Sequence, residues 1–263
     1  MPSQGTRGRS GRAPADELER AREQGARLRE TDEMEETFLQ AVSHDLRTPI
    51  AAILGLATTL EREDLELSPE DARDMIMRIV ANARRLDRIV SDLLDLDRLS
   101  RGVTEPTFAR ADVGALVTRV VAGSEISTER TVEVDAAPVE AEIDTAKVER
   151  IVEDLLANAD RHAPGESRIR VSTSAEGEHV VIAVDDEGPP VPEAYRERVF
   201  EPFRRGPEGR EHTLDVGVRL ALVAGFAELH GGRAWVQDAE TGGVSFRVSL
   251  PVEAAPVADE QSD

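Results

Sequence analysis

The sequence predicts an α+β chain in two parts, a hairpin of two long helices and then a sandwich of one sheet faced by helices. Two long stretches carry apolar residues at steps of three and four, the period of helices packed in a bundle. Beyond about Glu105 the pattern changes to short alternating runs and helices broken by turn residues. A length of 263 residues accommodates roughly two ordinary domains.

Composition narrows the possible functions. Aromatics make up 3% of the chain, so the core has to be built from Leu, Val, Ile and Ala. The formal net charge of −21 repels phosphate backbones and anionic lipid surfaces, which argues against a nucleic-acid or membrane-surface role. With no cysteine, disulfides, thiolate catalysis and Cys-based zinc sites are excluded. No apolar run approaches the ~20 residues of a membrane span, and the polar first residues lack a signal-peptide core. A cytoplasmic chain is therefore expected.

Residues 1–14, rich in Gly, Ser and Arg, are expected to be disordered. A charged helical stretch over 15–37 leads into the first stripe, Leu39, Val42, Leu46, Ile50, Ile53, Ala57 and Leu60. After a polar connection at 61–67, Ser68-Pro69-Glu70-Asp71 reads as a helix start, with Ser as cap and Pro in the first turn. The second stripe runs through Ile76, Ile79, Ala83, Leu86, Leu93 and Leu96 and stops near Gly102. One such hairpin buries too little by itself. Two copies in a four-helix bundle complete it, so a homodimer is expected.

The second part should open with a helix over Asp112–Val121 and two short strands around a turn in 131–143. An amphipathic helix follows from Asp144 to His162, then a hairpin of 168–174 with 179–185 across Glu176-Gly177. A short helix near Glu193–Val199, a polar segment at 204–214 and a helix ending at His230 come next. A last hairpin, 233–238 with 244–250, closes the sheet, and the tail 253–263 should be loose.

Three segments carry chemistry. In Phe38-Leu-Gln-Ala-Val-Ser-His44-Asp45-Leu-Arg-Thr48-Pro49, both His44 and Asp45 fall outside the apolar stripe. The imidazole should face solvent, and the neighbouring carboxylate can hold its tautomer and raise its basicity. Pro49 should bend the helix. A lone histidine on a helix is otherwise an ordinary surface residue. In the second segment, Asn158, Arg161 and His162 share one helix face, offering an amide oxygen to Mg²⁺ and a guanidinium to phosphate. Taken alone, that is simply a polar-faced helix. In the third, Val184-Asp-Asp186-Glu-Gly188-Pro-Pro190 places Asp and Gly after a strand, which is also a common turn.

Together these segments resemble the boxes of two-component histidine kinases, in order and spacing, from about Glu36 to Pro251. The resemblance implies a dimerisation and histidine-phosphotransfer domain over 38–103 and an ATP-binding domain of the HATPase (GHKL) type over 104–252. It implies that His44 takes the phosphoryl group, that Asp45 assists as acid or base, and that Thr48 orients water for dephosphorylation. Asn158 matches the usual Mg²⁺ ligand, and Asp154 stands where the family has its first asparagine, a carboxylate that could still contact the metal but adds charge beside a triphosphate. Asp186 matches the reader of the adenine amino group, and Gly188 permits close approach to the ring. Phe200-Glu-Pro-Phe203 is similar to a further family box and also explicable as packing.

The last glycine box, G-x-G-L-G-L, falls on Asp215-Val-Gly217-Val-Arg219-Leu220, where only Gly217 keeps the pattern. Family members bring backbone N–H groups there against the triphosphate. Asp215 adds negative charge, Arg219 adds bulk where bare backbone is expected but also a guanidinium able to contact phosphate, and Pro190 replaces another glycine. A weakened ATP lid is expected, restorable by glycine at 215 and 219.

The resemblance thus implies ATP and Mg²⁺ as cofactors, autophosphorylation on His44, and transfer to a response regulator aspartate. An upstream sensor protein is expected to act through the charged helix. The competing reading is a pseudokinase whose lid no longer holds ATP, serving as dimeric phosphoacceptor, phosphatase or scaffold. A plain ATPase or serine kinase would not need the His44 segment.

Overall fold

The structure is a computed structural model and describes residues 40–62, 64–65, 67–124, 126, 130–202, 214–240 and 242–253. The disorder expected for 1–14, the charged helix 15–37, most of the polar segment 204–214 and most of the tail lie outside the described residues.

Helix α1 occupies 40–60 and runs without a break through the buried Pro49. Helix α2, Pro69–Ser100, begins as its sequence requires: the Ser68 hydroxyl accepts the Asp71 N–H at 3.0 Å, and Pro69 needs no donor in the first turn. Each helix shows two apolar faces. Ala41, Val42 and Leu46 of α1 and Leu93, Leu96 and Leu99 of α2 pack against the core of the second part. Ile50, Leu54, Ile76, Met77, Val80 and Leu94 stay exposed.

The second part is an α+β sandwich. Its five-stranded sheet has the order β2-β4-β5-β7-β6, with β2 at Val132–Ala136, β4 at Ile169–Glu176, β5 at His179–Asp186, β6 at Arg233–Asp238 and β7 at Val244–Pro251. The β4–β5 hairpin turns at Gly177, whose φ of +64° suits glycine. The two strands expected in 131–143 form, but they do not pair with each other. β2 lies parallel to β4, and β3 (Glu140–Ile143) lies antiparallel to β1 (Ala109–Asp112). The four residues Ala-Arg-Ala-Asp of β1 carry no apolar alternation, so only a partner strand reveals them. The helix expected near 193–199 resolves into two 3₁₀ turns, Glu193–Tyr195 and Arg198–Phe200.

Three helices cover the sheet: α3 (Val113–Gly123), α4 (Thr145–His162) and α5 (Leu214–Leu229). Asp112 and Asp144 cap α3 and α4 by accepting backbone N–H groups. The aliphatic core is Leu116 and Val117 of α3, Ile151 and Leu155 of α4, Leu222 and Phe226 of α5, against Ile169, Ile182 and Val248 of the sheet. His230 joins helix ends: its Nδ1–H donates to the Phe226 carbonyl (2.6 Å), and its Nε2 accepts the Asp144 N–H (3.0 Å). Burial holds its imidazole below the usual histidine range, so it serves as a neutral staple.

Leu155 has no exposure, at the middle of α4. Leu155→Ala should cost about 2–5 kcal/mol, the ordinary result of a core cavity. Urea unfolding followed by circular dichroism measures it, and a loss below ~1 kcal/mol would contradict this packing.

Candidate functional site

The first constellation lies on α1. The His44 side chain is 70% exposed, and its Nδ1 sits 3.0 Å from Asp45 Oδ1. Exposure of the imidazole agrees with the sequence reading. Asp45 does not: it is buried, with 3% side-chain exposure. Helical geometry gives the reason. Asp45 lies three or four residues from Ala41, Val42 and Pro49, so it shares their inward face, while His44 is turned about 100° away. The Thr48 hydroxyl, one turn beyond His44, donates to the His44 carbonyl at 3.2 Å.

The second constellation forms where the end of α4 meets the end of β5. Asp186 is 2% exposed and accepts the Gly188 N–H through Oδ1 at 2.7 Å. Its Oδ2 is buried and meets no hydrogen-bond donor among the described residues. Burial pushes its carboxyl up to about 6, opposed by the Gly188 N–H and the Arg130 guanidinium. A Cβ on Gly188 would stand 2.5 Å from Asp186 Oδ1 and 3.2 Å from the His162 carbonyl oxygen, so the position requires glycine. The structure thereby brings Asp186, Gly188 and His162 together. Asn158 is buried one turn before His162, and Arg161 is exposed in the last turn. Gly217 lies in α5 near its start. The side-chain surroundings of Asp215 and Gly217 are outside the described residues.

The third constellation was not expected from sequence. Arg150 of α4 reaches Asp92 of α2 through Nη2, and its Nε lies 3.1 Å from Asp154 Oδ2. Arg219 of α5 approaches the other oxygen of the same carboxylate, Nε to Oδ1 3.9 Å. Burial pushes the Asp154 carboxyl up to about 7, with Arg150 and Arg219 pulling the other way. Asp154, which the sequence offered as a second metal contact, therefore faces two guanidiniums. The same contact gives Arg219 a partner within the protein that the sequence reading, obstruction of the lid or a phosphate contact, did not include.

Residues 34–102 match the family model of the His Kinase A (phospho-acceptor) domain. Residues 143–254 match that of the histidine kinase-, DNA gyrase B-, and HSP90-like ATPases. The chain belongs to the two-component sensor histidine kinases. It is 35% identical over 240 residues to the sensor protein KdpD of Mycobacterium tuberculosis, which takes in 89% of this chain and 27% of that protein. It is 32% identical over 221 residues to the probable sensor histidine kinase TcrY of the same organism, covering 82% of this chain and 46% of that one. The kinase chain thus spans about a quarter of the length of the first curated relatives it matches. Among solved structures, histidine kinase AdeS of Acinetobacter baumannii shares the fold at a TM-score of 0.60 and 19% identity, over 80% of this chain and 98% of that one. Histidine kinase ThkA, solved in complex with response regulator protein TrrA, shares it at 0.59 and 23%, over 90% and 67%.

The pocket of this kinase can be tested against a nucleotide. A buried carboxylate oxygen without a donor, beside backbone that tolerates no side chain, suits the exocyclic amino group of a flat purine ring. Among the described residues no group of three or more acidic or histidine side chains could hold a metal ion. A single amide oxygen fits Mg²⁺, which keeps waters and takes phosphate oxygens. No helix among the described residues is long and apolar enough to cross a membrane.

Sequence reasoning missed Asp92, Arg150 and Arg130. Asp92 interrupts the α2 stripe three residues after Ile89 and four before Leu96, and a carboxylate at such a position signals a buried partner. Arg130, with 5% side-chain exposure, holds the end of α4 through Asp160 (3.1 Å) and the Ala163 carbonyl (3.3 Å). Its segment shows no periodic pattern. Phe200 packs edge-on against Phe246, ring centroids 6.1 Å apart, as its packing reading expected.

Asp154 and Asp186 both bind protons more tightly folded than unfolded, their carboxyls rising from 3.8 to about 7 and about 6. That contribution is fully present below the unfolded value and lost as pH rises through the folded one. Asp154→Asn should therefore make the decline in melting temperature between about pH 5 and about pH 8 shallower than in the wild type. Parallel curves from scanning calorimetry would contradict the raised carboxyl.

Proposed function

We propose that the chain autophosphorylates on His44 with ATP and Mg²⁺ and passes the phosphoryl group to an aspartate of a response regulator. The observation that carries this reading is the exposed His44 ring, held at Nδ1 by Asp45, within the segment matched as a phosphoacceptor domain. With its Nδ1 proton donated to Asp45, the ring keeps its lone pair on Nε2, pointing to solvent. Nε2 attacks the γ-phosphorus, the bond to the β,γ-bridging oxygen breaks, and ADP leaves. Asp45 balances the positive charge that develops on the imidazole. Thr48, released from the His44 carbonyl, orients water for dephosphorylation of the regulator.

In the nucleotide pocket Asp186 Oδ2 accepts the adenine amino group, and Gly188, without a side chain, permits close approach to the ring. Asn158 holds Mg²⁺ through its amide oxygen, and the ion neutralises phosphate charge when bound. Arg161 and His162 flank the phosphates from the end of α4, and Gly217 offers backbone at the lid. The kinase works as a cytoplasmic homodimer, its bundle over 38–103 covering the exposed Ile50, Leu54, Ile76, Met77 and Val80, and its ATP-binding domain over 104–252. An upstream sensor reaches it through residues 15–37. ThkA, whose fold it shares, was solved with a response regulator, which supports a receiver domain as partner.

Incubation with γ-labelled ATP and Mg²⁺ tests this. Wild-type protein should take up label that acid releases and base does not, and His44→Gln should take up less than about 1% of it. Absence of label in the wild type would defeat the kinase reading. Acid-stable label, or full labelling of the variant, would remove His44 from its role.

A further inference from the structure

Two residues that depart from the family pattern meet in space. Asp154 replaces the first asparagine of the α4 box and Arg219 a glycine of the lid box, and they are separated by 65 positions in sequence. Yet Arg219 Nε lies 3.9 Å from Asp154 Oδ1, with side-chain exposures of 16% and 3%. Asp154 sits one turn before Asn158 on the same helix face, so its negative charge is directed toward the region where Asn158 works. Arg150 is shared, because the same guanidinium also reaches the buried Asp92. A second cation is needed, since a buried carboxylate left short of positive charge is costly.

We propose that Arg219 is a positioning residue for ATP binding: paired with Asp154, it seats the start of α5 against α4 and cancels the charge that Asp154 would otherwise present to the phosphates. The two departures are then one matched replacement, an ion pair standing where the family has an amide and a bare backbone. This rests on the nucleotide-binding reading above. It also reverses the expectation that glycine at 219 would repair the lid, because Arg219→Gly would leave Asp154 to Arg150, which it shares with Asp92.

A double-mutant cycle tests it. ATP-Mg²⁺ affinity by calorimetry and melting temperature are measured at about pH 8, above the raised Asp154 carboxyl, for wild type, Asp154→Asn, Arg219→Gln and the double variant. Arg219→Gln should weaken ATP binding about tenfold, and the double variant should return to within about threefold of wild type, a coupling typical of contacting residues. Arg219→Lys, which keeps the charge, should retain most of the affinity. A double variant as weak as Arg219→Gln would overturn the proposal, because Arg219 would then act on the nucleotide without Asp154. Coupling in melting temperature with unchanged ATP affinity would overturn it too, reducing the pair to a structural staple. Wild-type protein that binds no ATP would defeat the underlying kinase reading, a result distinct from either of these.

Discussion

Helix α4 buries eight of its 18 residues along one face, and that constraint organises the molecule. Val148, Ile151, Val152 and Leu155 have no exposure, and they fix the helix between the sheet and its neighbours α3 and α5. The same burial takes in Asp154 and Asn158, so polar side chains sit where only paired or ligated ones are tolerated. Asp144 at one end, held to His230, and Arg130 at the other, on Asp160 and Ala163, keep the helix from sliding. The positions of Asp154 and Asn158 are thus set by core packing.

The charged residues follow from this. Arg150 is the one α4 guanidinium that reaches both the helical hairpin, at Asp92, and the buried Asp154. Arg219 brings α5 to the same carboxylate. Three helices from the two matched domains therefore converge on a compact set of opposite charges. Such a set stabilises little in net terms but is expensive to leave half-made, so it specifies an arrangement more than it strengthens one. At the C-terminal end of α4, Asp186 holds a buried acceptor beside Gly188 and the His162 carbonyl, the arrangement on which the proposed nucleotide site rests.

Much of the fold was legible because periodicity reports burial. Both long helices, the capped starts at Ser68, Asp112 and Asp144, and the β4–β5 and β6–β7 hairpins appeared where the apolar spacing and turn glycines put them. What escaped was nonlocal. β1 has no pattern of its own, and β2 and β3 pair with strands far away in sequence rather than with each other. At the site, His44 was read as exposed correctly from its place off the stripe. Asp45 was placed off the apolar stripe, whereas its helical position, three or four residues from Ala41, Val42 and Pro49, turns it inward. The Asp154–Arg219 contact could not be seen along the chain at all, so two linked substitutions looked like separate damage.

Titration of the purified chain with ATP-Mg²⁺ by calorimetry tests the central claim most directly, with Asp186→Asn beside it. The expected result is saturable binding of one nucleotide per protomer, with a dissociation constant below about 1 mM, weakened at least about tenfold in the variant. Heat that fails to saturate at several times that concentration, or equal affinity in the two proteins, would contradict a nucleotide site built on Asp186.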